Sequence, residues 1–237
     1  MRRIIVLIMI FSFINALPGR ALSKDTSFII LLKEAETLFF KKDYYAAEGK
    51  CEEAINLNPK LFPAYNLLGN IYGSSNREEQ AARAFEKSIG LNPSQPDVYD
   101  KLAFLYDKLG DTDKTIRCLE ESVSLRNGDL ASYYDKLGLI YFLKKKDHQK
   151  AFEYFNKLSG KYKDDPKYLY FKGACYLLSG KNLLAMECVT GLRALGNQYL
   201  SAVLEDYLKR SSTGVTITTD EIALLYNEQE SRATKRE

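Results

Sequence analysis

The chain has 237 residues, of which 46% are apolar and 27% are charged, and this composition is sufficient for a packed core. Its 34 basic residues nearly balance its 31 acidic residues. Three of the arginines and none of the acids lie within residues 1–23, so the remainder is neutral, which argues against a surface that follows nucleic-acid phosphates.

Residues 1–23 have the pattern of a secretory signal. Arg2 and Arg3 precede an apolar run over residues 4–14, and a turn with small residues suited to cleavage follows. As a helix, this run covers only about half of the apolar core of a bilayer. We therefore expect an exported protein of the periplasm or cell envelope, with an uncleaved membrane anchor as the alternative.

From residue 27 onward, two short amphipathic blocks return together every 34 to 36 residues. A small residue recurs at Ala35, Gly69, Ala103, Gly138 and Gly173, and a bulky one follows it at Leu38, Tyr72, Tyr106, Tyr141 and Tyr176. A second small position recurs at Ala47, Ala81, Thr115, Ala151 and Ala185, and a residue fit for burial follows at Cys51, Phe85, Leu119, Phe155 and Val189. Spacings of three and four residues keep these side chains on one helical face. The pattern predicts an all-α fold of five helix pairs, over residues 27–61, 62–95, 96–130, 131–165 and 166–196.

The second block resembles a tetratricopeptide repeat in its run Ala64–Tyr72, followed by Ala81, Phe85 and Pro93. The runs Tyr99–Tyr106 and Tyr134–Tyr141 are similar. The resemblance implies an α-solenoid, a right-handed superhelix whose concave groove is lined by the first helix of each pair and receives partner proteins.

The C-terminal region adds two predicted helices. Residues 197–210 are predicted to form a capping helix on the last repeat, and residues 211–237 a polar tail with a short helix. Thr218 and Glu221 form a capping box that begins this short helix. Its apolar stripe, Ile222, Leu225 and Tyr226, is predicted to fold back onto the repeats, with the groove of a neighbouring molecule as the alternative.

The sequence carries no pattern of catalytic or metal-binding residues. The single histidine, His148, follows a lysine run in a predicted turn and is expected to be exposed. The four cysteines match no zinc-binding spacing, and we expect them to be free core residues, with a Cys175–Cys188 bridge as the alternative. We expect neither enzymatic activity nor a metal or cofactor.

The resemblance implies a set of groove residues that would bind a partner: Asn66, Asn70, Asp100, Phe104, Asp107, Asp135, Leu139, Phe142, Tyr170 and Leu177. Acids beside aromatics favour a protein or peptide segment with basic and apolar side chains. The alternative is that these acids are solvated and that the contact lies on the convex face or at the C-terminal tail. The predicted function is a non-catalytic protein–protein interaction scaffold of the cell envelope. The alternative is a membrane-anchored structural or assembly subunit.

Overall fold

The computed structural model describes residues 24–162 and 164–233, which form helices joined by short turns with no strand among them. The predicted all-α solenoid class is confirmed. The predicted signal, residues 1–23, lies outside the described residues. The described residues divide into two compact parts, one that ends at Leu109 and one that begins at Gly110, which we call the first unit and the second unit. Of the helices described, none combines the length and the apolar character needed to cross a membrane.

The first unit contains two helix pairs and one further helix. Its helices are α1 (Lys24–Phe40), α2 (Tyr44–Leu57), α3 (Phe62–Ser74), α4 (Glu78–Leu91) and α5 (Pro96–Lys108). Helix α1 packs on α2, and α3 packs on α4. The buried residues of one core cluster are Ala35, Ala47, Cys51, Leu67, Leu68, Ile71 and Ala84. Alanines at the predicted small positions allow the helix backbones to approach closely.

The second unit contains the remaining helices. They are α6 (Thr112–Ser124), α7 (Ala131–Leu139) with a π-helical turn over Ile140–Lys144, α8 (His148–Lys157), α9 (Ser159–Tyr162), α10 (Pro166–Leu178), α11 (Asn182–Ala194), α12 (Gln198–Ser212) and α13 (Thr219–Ala233). Helix α7 packs on α8, and α10 packs on α11. The predicted capping helix is α12, which packs on both α10 and α11.

Glycines mark the closest approach of the helices within three pairs. A Cβ atom at Gly69 would lie 2.6 Å from the ring of Phe85, and one at Gly138 would lie 2.6 Å from the ring of Phe155. At Gly173, a Cβ atom would lie 2.9 Å from Cβ of Cys188 and would also meet the side chain of Leu204. Each glycine therefore makes room for a side chain of the next helix.

The turns inside the five predicted repeats share one backbone conformation. A residue with positive φ stands at each of them: Lys42, Asn76, Gly110, Lys146 and Gly180. Gly214 adopts the same conformation 34 residues after Gly180, although no sixth pair was predicted there. Asp43, Asp111 and Asp147 follow three of these turns, and each carboxylate accepts a backbone N–H at 3.0–3.1 Å. These aspartates are N-caps that fix where the second helix begins.

The π-helical turn accommodates one extra residue. Lys146 lies eight residues after Gly138, whereas the corresponding separation in the other predicted pairs is seven, as from Gly173 to Gly180. The extra residue widens the helix end, where Lys145 N–H donates to the carbonyl of Ile140 at 3.1 Å.

Candidate partner-binding surfaces

An open cleft of about 590 Å³ lies on the first unit, between residues of α1, α3, α4 and α5. We call it the first-unit cleft. It is lined by Phe39, Gly69, Asn70, Gly73, Ser74, Glu78, Phe85, Asp100, Lys101, Phe104, Leu105 and Lys108. Three of the predicted groove residues, Asn70, Asp100 and Phe104, therefore lie together.

Aromatic side chains give the first-unit cleft its apolar surface. Phe85 is buried and Phe104 is 59% exposed. Gly69 and Gly73 also line the cleft and contribute no side chain that could fill it. An exposed ring beside a buried apolar surface is a typical anchor point for a partner side chain.

The charges of the first-unit cleft are mixed. The ammonium of Lys101 donates to Asn70 Oδ1 at 2.8 Å, and that of Lys108 donates to Glu78 Oε1 at 2.6 Å. Lys108 also lies 5.8 Å above the ring of Phe104. The hydrogen bond from Lys108 lowers the pKa of Glu78, which favours its ionised form. The cleft therefore contains two lysines, whereas the only charged residues that the sequence analysis placed in the groove were acids.

Two predicted groove residues of the first unit do not line this cleft. The side-chain amide of Asn66 donates to Gln95 Oε1 at 2.7 Å, and Gln95 itself donates to the carbonyl of Asn92 at 2.7 Å. The amide of Asn66 therefore belongs to a polar network where α4 ends and α5 begins, and its role in binding a partner stays a prediction. Asp107 is exposed on α5, outside the lining residues.

Most of the predicted groove residues of the second unit are buried by other residues of the chain or already bound to them. Phe142, Tyr170 and Leu177 are buried rather than open, with at most 4% of their surface exposed. Leu139 is half-buried, and Asp135 accepts a hydrogen bond from the ammonium of Lys167 at 2.6 Å. The expected exposure of Phe142, Tyr170 and Leu177 is corrected accordingly. Their role in binding a partner stays a prediction.

Helix α13 lies against Tyr170, one of these residues, and three tyrosine hydroxyls donate hydrogen bonds to its backbone. The hydroxyl of Tyr170 donates to the carbonyl of Ile222 at 3.0 Å. The hydroxyl of Tyr207 donates to the carbonyl of Glu221 at 2.9 Å, and that of Tyr199 to Leu225 at 3.4 Å. We call the surface of α10, α12 and the π-helical turn on which α13 lies the second-unit groove. Burial raises the pKa of Tyr170, so its hydroxyl remains a proton donor.

Side chains of α13 complete this contact. Ile222 is fully buried, and the ring of Tyr226 lies 5.7 Å from that of Tyr170 and 4.9 Å from that of Phe171. Two ion pairs flank the start of the helix, one between Lys146 and Asp220 at 2.8 Å and one between Arg210 and Glu221 at 2.9 Å. The prediction that the tail folds back onto the repeats is confirmed by these contacts.

Comparison with known families agrees with this arrangement of helix pairs. Residues 62–95, 96–129 and 131–159 match the profile described as tetratricopeptide repeat. These segments are tetratricopeptide repeats. The first segment contains α3 and α4, the second contains α5 and α6, and the third contains α7 and α8.

Solved structures with the same fold support the assignment. The chain is similar to YrrB, described as a TPR protein with an unusual peptide-binding site, with 18% identity and a TM-score of 0.58 over 79% of this chain and 98% of YrrB. It is also similar to MamA, with 18% identity and a TM-score of 0.55 over 82% of this chain and 99% of MamA. At this identity the likeness concerns the fold alone. No curated protein sequence matches the chain significantly.

His148 is the first residue of α8 and lies at its contact with α13. Its Nε2 is 2.8 Å from Oγ1 of Thr219, and its ring is half-buried. The prediction of an exposed histidine is therefore wrong, because α13 covers it. Burial lowers the pKa of His148, although the charge of Asp147 opposes this shift.

The cysteines lie inside the repeats. Cys51, Cys118, Cys175 and Cys188 are all buried, as predicted, and each is a free thiol. Burial raises the pKa of Cys51 to about 12 and that of Cys188 to about 11, which suppresses the reactive thiolate. Over residues 24–162 and 164–233, no group of three or more histidine, cysteine or carboxylate side chains is arranged to hold a metal ion.

Proposed function

We propose that this protein is a non-catalytic protein–protein interaction scaffold that binds a segment of a partner in the first-unit cleft. The observation that carries the proposal is the open cleft itself, with Phe104 exposed beside the buried ring of Phe85. A large exposed aromatic on a folded surface costs solvation free energy and is typical of a binding site. YrrB, which shares the fold, is described as having a peptide-binding site.

The chemistry of the cleft suggests the character of the partner segment. An apolar side chain would pack on the exposed ring of Phe104, beside the buried ring of Phe85. The lining contains Lys101 and Lys108 as well as Asp100 and Glu78, so a segment with charges of both signs is favoured over a purely basic one. The amide of Asn70 would be available to a peptide backbone if Lys101 moved to a partner carboxylate.

The test is a matched pair of substitutions in the full-length protein. Phe104→Ala removes the exposed ring of the cleft, whereas Tyr45→Ala removes an aromatic that is 89% exposed and lies outside the cleft. Affinity capture from native extract, followed by identification of the retained chains, should show partners that are lost with Phe104→Ala and kept with Tyr45→Ala. We expect at least roughly tenfold weaker binding for Phe104→Ala, as for a central aromatic anchor. Equal capture by both variants would refute the cleft as the site.

We further propose that the scaffold acts after export, in the periplasm or cell envelope. The support is the charge and apolar pattern of residues 1–23. The alternative is a membrane-anchored structural or assembly subunit that keeps this segment. The intact mass of the native protein separates the two, because only the exported form should lack the first 21–23 residues.

A further inference from the structure

We propose that the second-unit groove is a receptor for an amphipathic helix of a partner protein, and that α13 is its intramolecular occupant. The partner helix would carry two acids in its first turn, followed by an aliphatic and an aromatic residue four positions apart. This site is separate from the first-unit cleft, so either proposal can fail without the other.

Recognition of the helix backbone is the first argument. Tyr170, Tyr199 and Tyr207 donate their hydroxyls to three carbonyls of α13, at 3.0, 3.4 and 2.9 Å. Carbonyls within a helix already accept one N–H and keep a second lone pair. Such contacts select a helix of the right position and direction, and they do not depend on which side chains that helix carries. Any helix with a compatible apolar face could therefore use them.

The apolar face of α13 supplies the second argument. Ile222 is fully buried and Tyr226 is 8% exposed against the rings of Tyr170 and Phe171, whereas Leu224 is 60% exposed on the other side. Two buried side chains one turn apart are the anchors of a helix in a groove. The pair specifies an aliphatic residue followed by an aromatic one.

Charge complementarity is the third argument. Lys146 and Arg210 stand at the beginning of α13 and pair with Asp220 and Glu221. Acids in the first turn also match the dipole of the helix. A partner helix with acids at these two positions would meet the same cations.

The two ion pairs at the start of α13 are exposed to solvent, whereas Ile222 and Tyr226 are buried. The side chains of the Lys146–Asp220 pair are 54% and 74% exposed, and those of the Arg210–Glu221 pair are 37% and 39% exposed. Ion pairs of this kind contribute little to stability. The tail is held mainly by Ile222, Tyr226 and the tyrosine hydroxyls, and its short connection to α12 keeps its local concentration high. A partner helix must therefore compete with a tethered one.

The experiment uses a labelled synthetic peptide of residues 217–231 and the full-length chain. Ile222→Asp in the chain should release α13 and open the groove, while Leu224→Asp is the matched control on the exposed face of the same helix. We expect the peptide to bind the Ile222→Asp chain at least roughly tenfold more tightly than the wild type or Leu224→Asp, because a tethered competitor acts at about millimolar effective concentration. Adding Tyr170→Phe to the Ile222→Asp chain should weaken this binding about fivefold, since one hydrogen bond is lost.

A second variant covers the case in which Ile222→Asp fails to fold. Asp220→Lys with Glu221→Lys in the chain leaves the buried face of α13 unchanged and places lysines against Lys146 and Arg210. The wild-type peptide should bind more tightly to this variant chain than to the wild-type chain. A peptide with the same two reversals should bind weakly to both chains.

Three results would overturn the proposal. They are equal peptide binding by the wild-type and released chains, no binding by a released chain that remains folded, and a wild-type dimer that becomes monomeric with Ile222→Asp. The last result would mean that α13 is exchanged between two copies of this chain.

Discussion

The hydroxyl of Tyr170 in α10 donates a 3.0 Å hydrogen bond to the backbone carbonyl of Ile222 in α13. Tyr170 was predicted to face a partner, and the residue that it contacts belongs to the chain's own tail. The ring of Tyr170 is fully buried and lies 5.7 Å from the ring of Tyr226. This one residue therefore links the fifth helix pair to the C-terminal helix through both a polar and an aromatic contact.

Replacing Tyr170 with phenylalanine should loosen α13 without unfolding the repeats. The variant removes the hydroxyl and keeps the ring that lies against Tyr226. Loss of one hydrogen bond costs about 1 kcal/mol, so amide hydrogen exchange in α13 should become about fivefold faster. Exchange in α1 and α2 should not change. Unaltered exchange in α13 would show that the hydroxyl contributes nothing to its docking.

Lowering the pH should weaken the docking of α13 through His148. Burial holds the pKa of His148 below its usual value, so the undocked state binds a proton more readily than the docked state. Stability is complete above the ordinary histidine pKa of about 6.5 and declines as the pH falls below it. The pKa of Glu221 is also lowered, chiefly by its hydrogen bond from Arg210, so this carboxylate stays ionised between about pH 5.5 and 7.5.

Urea unfolding at pH 7.5 and pH 5.5 measures this effect. The wild type should lose more stability than His148→Gln, whose side chain carries no proton equilibrium in this range. The comparison is direct because His148 is the only histidine in the chain. An equal loss in both proteins would assign the pH dependence to other groups.

Gly69→Ala should destabilise the α3–α4 helix pair. The added methyl group would lie 2.6 Å from the ring of Phe85, so the ring or the helix must shift. Overpacking of this kind costs about 1–3 kcal/mol in the free energy of unfolding. Gly49→Ala is the control, since no atom lies within 4 Å of its Cβ position, and it should stabilise α2 by up to about 1 kcal/mol. Similar values for both variants would argue against close packing at Gly69.

Arg77→Lys should destabilise the first unit although it keeps the charge. The guanidinium of Arg77 donates to both carboxylate oxygens of Glu48, at 3.2 and 2.8 Å, and lies 4.4 Å from the centre of the Tyr72 ring. A lysine cannot reproduce this two-pronged contact, and we expect a loss of about 1 kcal/mol.

A double-mutant cycle with Glu48→Gln measures the coupling between these two residues. The hydrogen bond from Arg77 lowers the pKa of Glu48, so the coupling should be present near neutral pH and lost as the pH falls through that lowered value. Strictly additive effects of Arg77→Lys and Glu48→Gln would show that the pair contributes no interaction energy.

Much of the fold was predictable because local rules determine it. The helix pairs and the capping box at Thr218 follow from spacing and residue type. The sixth turn at Gly214 was missed, although it lies in the same register. The first-unit cleft was predictable only in part: Asn70, Asp100 and Phe104 lie in it, but the contribution of Lys101 and Lys108 depends on side-chain directions that no spacing rule supplies.

The sequence by itself determined the repeat, because the alternation of small and bulky residues at helical spacing decides which faces of neighbouring helices can meet. It also determined that α13 has one apolar face. Only the tertiary structure decided what that face covers, since an amphipathic pattern shows which side chains leave water and not which surface receives them. That surface contains Tyr170 and Phe171, and the predicted binding residue Tyr170 is covered there by Ile222 and Tyr226.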